Sequence, residues 1–253
     1  MKAVMKLTIL CENQAGLNGS KNLLAEWGLS FFIETKGTKI LFDTGHTNVY
    51  WHNARQMKID LNRTDIIVLS HHHWDHAGGL QHHEFRTKKR LVLHPEVIGK
   101  LSLKERRRIK TDFEIISSVR PLEFSPGIFF LGQISCKTSF EKGVYKGQIM
   151  LDDSALAIKT SKGTVVITGC SHSGVCNICE QAKAITEQSL YAVIGGFHLS
   201  ARDNKVIKKT VAYLKKESPK YIYPMHCVDH EVQVVFHNEL GTQKLSAGDH
   251  IVI

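Results

Sequence analysis

Residues 70–79 read Ser-His-His-His-Trp-Asp-His-Ala-Gly-Gly, and no other run constrains this chain as tightly. His71, His73, Asp75 and His76 spell His-x-His-x-Asp-His, four potential metal ligands within six residues, directly after the apolar run Ile66-Ile67-Val68-Leu69. A strand that ends in a tight loop aims all four side chains toward one point. On extended backbone His71 and His73 face the same way, whereas the adjacent Asp75 and His76 diverge only if the chain turns. One short loop then serves two ions, with His71 and His73 on one and Asp75 and His76 on the other. Imidazole and carboxylate donors suit zinc, iron or manganese at an open, water-bearing site. The bland alternative is a surface histidine run. It fits poorly with the buried-type strand before the motif and the turn-forming Ala77-Gly78-Gly79 after it.

A length of 253 residues suits one large α/β domain, residues 1–253, with a substantial core. Hydrophobic residues at 42% and charged residues at 23% describe an ordinary globular protein. No apolar run approaches a membrane span, and the first residues lead straight into a strand-like segment without a signal-peptide plan, so a cytoplasmic location is expected. Six cysteines are too sparse for a disulfide scaffold. The net charge of +9 is concentrated at 86–90 and 104–110. Without interleaved aromatic residues or a reading motif, these segments are expected to be solvated basic faces rather than a specific nucleic-acid surface.

Alternation predicts strands at 6–10, 29–34, 38–42, 66–69 and 90–94, with Lys36-Gly37 as a hairpin turn. A loop is expected over 11–22, helices at 48–57 and 95–100, and a basic, mixed segment over 101–120. Further strands are predicted at 127–131, 134–138, 154–160, 163–168, 191–194 and 221–223, with helices at 176–188 and 203–216. The end is strand-like at 232–236 and 250–253. Periodicity alone supports a mixed α/β chain with no linker or repeat to divide it.

The motif and its surroundings resemble the metallo-β-lactamase superfamily of metallohydrolases. Its marks here are His-x-His-x-Asp-His after a strand, Asp43-Thr44-Gly45 after Lys39-Ile40-Leu41-Phe42, Gly169-Cys170-Ser171-His172, Gly195-Gly196-Phe197-His198-Leu199 and Pro224-Met225-His226-Cys227. The last three sets, with Asn13, Glu26-Trp27-Gly28-Leu29-Ser30 and Asn53, are similar to the branch of dihydropterin-methyl-aminobenzene-ribofuranosyl-phosphate synthases and their unassigned bacterial relatives. The resemblance implies a four-layer αββα sandwich and two divalent transition-metal ions, zinc first, with iron or manganese as alternatives. It also implies ligands at His71, His73, Asp75, His76, His172 and His226.

Many superfamily members carry a bridging Asp where this chain has Cys170. Either the Cys170 thiolate is a ligand, or His172 reaches the metal and Cys170 packs inside; His172 ranks ahead of Cys170 and Asp152. Asp43 is expected to support the ligand histidines, since metal-bound imidazoles donate their second N–H to a carboxylate or carbonyl. His198 is expected to touch substrate or shuttle a proton, and Asp75 to bind metal and orient or deprotonate water. Cys176 and Cys179 form a Cys-x-x-Cys whose expected role is structural, and the remaining histidines, such as His46 and His72, are surface residues or pocket neighbours. Val228-Asp229 stands where the branch has Thr-Gly, which removes a hydroxyl and adds a negative charge.

The expected activity is metal-dependent hydrolysis of an ester, thioester, lactone or phosphodiester in a small anionic substrate. A pterin-transferring synthase that displaces diphosphate and a nuclease of the same fold are the alternatives. No membrane or specific nucleic-acid partner is expected, and a homodimer is compatible with all of this.

Overall fold

Runs rich in β-branched and aromatic residues make the strands, and the central ones are buried along their whole length. A computed structural model describes residues 5–16, 22–145 and 147–253. Contacts divide the chain into two compact units. One runs up to Ser118 and resumes at Leu245–Ile253, and the other is Val119–Lys244.

In the first unit, strands β1 (Met5–Cys11), β2 (Ser30–Thr35), β3 (Lys39–Phe42), β4 (Ile66–Val68), β5 (Lys89–Leu93), β6 (Phe113–Ser117) and the last strand of the chain, β15 (His250–Val252), form one sheet. Its order is β15-β1-β2-β3-β4-β5-β6, antiparallel as far as β3 and parallel from β3 to β6. Helices α1 (Val49–Gln56), α3 (Pro95–Lys100) and α4 (Leu103–Asp112) supply Tyr50, Trp51, Val97 and Ile109 to a core shared with Phe32, Leu41, Ile67 and Leu91 of the sheet. Ile33, Ile40, Ile66 and Val92 alternate with these and are fully buried too, the two-sided burial typical of parallel strands. Between β4 and β5 lies a single helical turn, α2 (Trp74–Ala77).

The basic segment at 101–120 becomes α4 and β6. Ser102 and Glu105 start the helix as a reciprocal cap, at 3.3 Å and 2.9 Å. Arg106 reaches back to the Gly99 and Leu101 carbonyls.

In the second unit, β7 (Leu122–Ser125), β8 (Ile128–Phe130), β11 (Ala155–Thr160), β12 (Gly163–Thr168), β13 (Leu190–Gly196) and β14 (Tyr221–Met225) form a sheet of order β14-β13-β12-β11-β8-β7. The three strands β12, β13 and β14 are parallel neighbours. A two-stranded ribbon, β9 (Val144–Tyr145) and β10 (Gln148–Ile149), stands outside that sheet. Helices α5 (Val175–Thr186), α6 (Asn204–Glu217) and α7 (His230–Leu240) pack Ile178, Ala182, Val211, Leu214 and Phe236 against Val166 and Val193.

Two expected strands are not strands. Residues 134–138 join no sheet, because side chains of α5 take their amides. Ser135 N–H donates to Gln181 at 3.0 Å, and the N–H groups of Lys137 and Thr138 donate to Asn177 at 2.7 and 2.6 Å. Residues 232–236 lie in α7. Val232 and Phe236 are buried four positions apart while Val234 and Val235 are exposed, which is a helical period. β7 and the ribbon were not expected. The expectations for residues 1–4, and for 17–21 of the loop at 11–22, lie outside the described residues. Among the described residues, no helix is long and apolar enough to cross a membrane.

Candidate metal centre

In the first unit, the parallel strands β3 and β4 end side by side. Asp43 follows one and the histidine motif follows the other. The motif leaves β4, passes through Ser70 and His71, and enters α2 with His73 at the N-cap, so Asp75 and His76 sit on a helical turn, with their ligand atoms within 4.8 Å of one another. Ring centroids of His71 lie 4.6 Å from His73 and 4.3 Å from His76. His71 and His76 are fully buried, and Asp75 is buried.

Asp43 organises two of these rings. It is fully buried and sits at φ 54°, a left-handed backbone rare for a residue with a side chain. One carboxylate oxygen receives His76 Nδ1 at 2.7 Å and the Ser70 hydroxyl at 2.7 Å; the other receives the Ser70 N–H at 2.7 Å. Ser70 Oγ also meets His71 Nδ1 at 2.8 Å. With the hydroxyl proton committed to Asp43, Ser70 accepts from His71. Both imidazoles then carry their proton on Nδ1 and present Nε2 as a lone pair, the tautomer a metal ligand needs. The donor set and its orientation therefore fit a metal.

Backbone contacts fix the loop. The His76 carbonyl accepts from Thr44 N–H at 2.7 Å and Thr44 Oγ1 at 3.0 Å, and the Asp75 carbonyl accepts from Leu29 N–H at 3.1 Å. Trp27 Nε1 donates to the Asp75 carboxylate at 3.1 Å. Glu26 holds the 45–47 turn through the N–H groups of His46 and Thr47 at 2.9 and 3.0 Å and the Thr47 hydroxyl at 2.6 Å. Gly79 is required by close approach, since a Cβ there would run into the Thr44 and Thr47 carbonyls. Asn53 is a buried clamp, donating to the Leu10 and Leu24 carbonyls, each at 2.8 Å. His46 is exposed and packs edge-on against Trp74 at 4.6 Å.

In the second unit the carboxyl ends of β12, β13 and β14 deliver Cys170-Ser171-His172, Phe197-His198 and His226-Cys227. Open α/β sheets collect their functional loops at such ends. Ser171, His198 and His226 have φ of 61°, 47° and 53°. With Asp43, half of the eight non-glycine residues in this backbone region, among those described, lie at these strand ends. Such conformations cost free energy and concentrate at functional sites. Cys170, His172 and His226 are buried, whereas His198 is exposed. The His172 ring lies 4.3 Å from His198 and 4.5 Å from Tyr145 of the ribbon, and Tyr145 lies 5.2 Å from His198.

Asp153, fully buried, accepts the Ser173 N–H at 2.7 Å; burial pushes its carboxyl up to about 7 although that bond opposes the rise. Burial pushes the Cys227 thiol up as well, but hydrogen bonding at Cys170 and His198 and the nearby imidazoles outweigh it and hold the thiol well below its usual range. The extra carboxylate of Asp229 is spent on structure, since it accepts from the Ser200 hydroxyl at 3.0 Å and the Ala201 N–H at 2.9 Å. Cys176 and Cys179 are free thiols fully buried in the core, where burial pushes both far up, which suits inert packing.

Ser70, Trp27 and Tyr145 had not been expected at the site. Only Trp27 left a trace in the sequence, within the Glu26-Trp27-Gly28 run. A lone Ser or Tyr carries no such mark.

Comparison with known proteins shows the family. The family model described as the metallo-beta-lactamase superfamily matches residues 28–171. The 7,8-dihydropterin-6-methyl-4-(beta-D-ribofuranosyl)-aminobenzene-5'-phosphate synthase of Methanocaldococcus jannaschii is 33% identical, over 96% of this chain and 95% of that protein. An uncharacterized protein of the same organism is 28% identical, over 87% and 90%. Among solved structures, Tm1679, a metal-dependent hydrolase of the beta-lactamase superfamily, is 25% identical with a TM-score of 0.82, covering 98% of this chain and 99% of that one. The chain therefore belongs to the metallo-β-lactamase superfamily, with its α/β fold, and is an enzyme of that superfamily.

Proposed function

We propose that the chain is a metal-dependent hydrolase of one functional domain with a binuclear centre. The proposed ligands are His71, His73, Asp75, His76, His172 and His226. One observation carries this reading: a single buried carboxylate, Asp43, orients His76 directly and His71 through Ser70, a costly arrangement with little purpose except to aim two lone pairs. When bound, two divalent ions, zinc first, would supply Lewis-acid polarisation of the scissile oxygen and a water of lowered pKa, toward about 7. Asp75 orients that water and accepts its proton, and the exposed His198 contacts the substrate or carries the proton out. The net charge of +9 favours a small anionic ester, thioester, lactone or phosphodiester. A cytoplasmic location belongs to the same reading, supported by six free thiols.

The test is metal analysis of natively purified protein, followed by those four substrate classes. Two ions per chain and turnover of one class are expected; fewer than two ions, or no turnover of any class, overturns the proposal. The synthase at 33% identity supports a second reading, transfer of a pterin group with displacement of diphosphate. Diphosphate release from a pterin diphosphate, with no hydrolysis of the panel, would select it.

A further inference from the structure

At the amino ends of β4 and β5 the first unit carries a cavity of about 360 Å³. Three cations line it: Arg55 and Lys58, at and just past the end of α1, and Arg86, in the loop before β5. The histidine motif follows the opposite, carboxyl end of β4. The paired stretch between the two, residues 65–69, is about 13 Å of strand.

The walls are tied together by the chain itself. Asp60 accepts the Asn62 N–H at 3.0 Å, Asn62 Oδ1 accepts the Arg86 N–H at 2.9 Å, and the Asn62 carbonyl accepts Lys89 Nζ at 2.6 Å. Trp51 is held edge-on against Phe85 at 4.9 Å. Lys58 holds φ 58°, a left-handed backbone that costs free energy in a residue with a side chain. Its turn is fixed by the Lys58 N–H on the Arg55 carbonyl at 3.0 Å and the Ile59 N–H on the Ala54 carbonyl at 2.7 Å.

Both carboxylates of the cavity are already engaged, Glu84 with Arg55 and Asp60 with the Asn62 amide. The charged heads of Lys58 and Arg86 have no partner among the described residues. With Asn62 Oδ1 committed to Arg86, its side-chain N–H₂ group is left as a donor. Guanidinium forks, an ammonium and an amide N–H₂ converging on one concavity match a phosphate monoester. Such a group carries a charge of about −1.5 to −2 and three acceptor oxygens, where a carboxylate offers two oxygens and a single charge.

We propose that this cavity binds the phosphate group of a small phosphorylated metabolite, at a site separate from the metal centre. Lys58, Arg86, Arg55 and Asn62 hold the phosphate, and Trp51 and Ile59 lie beside the organic part.

The test is acetylation footprinting of the full chain, with the rate at each lysine read by peptide mass spectrometry. Glycerol 3-phosphate is the probe, and sodium chloride at equal ionic strength is the reference. At about four times its dissociation constant the probe should slow Lys58 about fivefold and leave the exposed Lys104 of α4 at its reference rate. The protection is expected to persist in His71→Ala/His76→Ala and to vanish in Arg86→Gln. An unprotected Lys58, equal protection at Lys104, or protection that survives Arg86→Gln overturns the site. Protection lost in His71→Ala/His76→Ala, with circular dichroism unchanged, assigns the anion to the metal centre and also overturns it. A single-stranded oligonucleotide that protects Lys58 where glycerol 3-phosphate does not assigns the face to nucleic acid, against the proposal. If Arg86→Gln fails to fold, Arg55→Gln read in the same way decides; if the histidine variant fails, chelator-treated wild type takes its place.

Discussion

A single aspartate holds the candidate ligands His71 and His76 in fixed orientation, unlike a surface histidine tag. Asp43 Oδ2 takes His76 Nδ1 and the Ser70 hydroxyl, each at 2.7 Å, and Ser70 passes the orientation on to His71. Asp43→Asn keeps the volume but replaces an acceptor oxygen with an N–H₂ donor, so one ring loses its proton acceptor. Metal affinity is expected to fall about 10–100-fold, read by competition with a chromogenic chelator, and Ser70→Ala should lose less because it touches only His71. In the proposed function Asp75 has a different burden, a metal bond and the proton of the attacking water, and in the structure Trp27 steadies its carboxylate at 3.1 Å. Asp75→Asn should lower turnover about 100-fold or more with little change in the urea midpoint. Wild-type turnover in that variant would remove Asp75 from the chemistry.

Among the elements, α5 shows how a helix start is completed from far along the chain. Gly174 opens the helix at φ 96° and has no side chain to cap it. Glu141 does so instead, receiving Cys176 N–H at 3.1 Å and Asn177 N–H at 2.8 Å. Burial raises the pKa of Glu141 above its ordinary 4.5, although these amides pull it back. The folded protein therefore holds this proton more tightly than the unfolded chain. The contribution is complete below the unfolded value and is lost as pH rises through the folded one. Relative to Glu141→Gln, which does not titrate there, the wild-type urea midpoint should fall as pH rises above 4.5. A difference between the two that stays flat from about pH 4 to about pH 7 would contradict this sign. α7 and the 134–138 segment show the opposite side of local reading: β-branched residues lay in a helix, and an alternating run found no strand beside it.

For the whole molecule, the excess of 33 basic over 24 acidic residues raises the question of nucleic acid. Part of the basic segment is committed to structure. Arg106 caps the end of α3, Arg108 pairs with Asp112 at 3.4 Å, and Lys89 donates to the Asn62 carbonyl at 2.6 Å. The rest is solvated, with Lys104, Arg107 and Lys110 exposed on α4 and Arg86 and Lys88 exposed in the loop before β5. Any DNA or RNA affinity should rest on phosphate neutralisation alone and drop about 10³-fold between roughly 50 and 200 mM salt, measured by fluorescence anisotropy on two unrelated sequences. Salt-tolerant binding that prefers one sequence would bring the nuclease alternative forward.

What the sequence determined by itself is the superfamily and the strand-end places of the candidate metal-binding residues. An apolar strand followed by His71, His73, Asp75 and His76 is legible because ligand type and strand-then-turn spacing are local properties. The strand-end positions of His172, His198 and His226 were legible for the same reason. Most strands and helices followed from apolar periodicity, which reports burial without asking what lies opposite. Tertiary structure alone decided the rest, because each remaining feature depends on neighbours distant in the chain. Ser70 matters only because β3 places Asp43 beside it, 27 residues away. Asp229 accepts from Ser200 and Ala201 only because β14 runs beside β13 and brings the two strand-end loops together. Cys170, His198 and Cys227 converge only because β12, β13 and β14 are parallel neighbours ending at one edge. Hydrogen-bond partners and ligand clusters are pairwise facts in space, and a one-dimensional pattern records only one member of each pair.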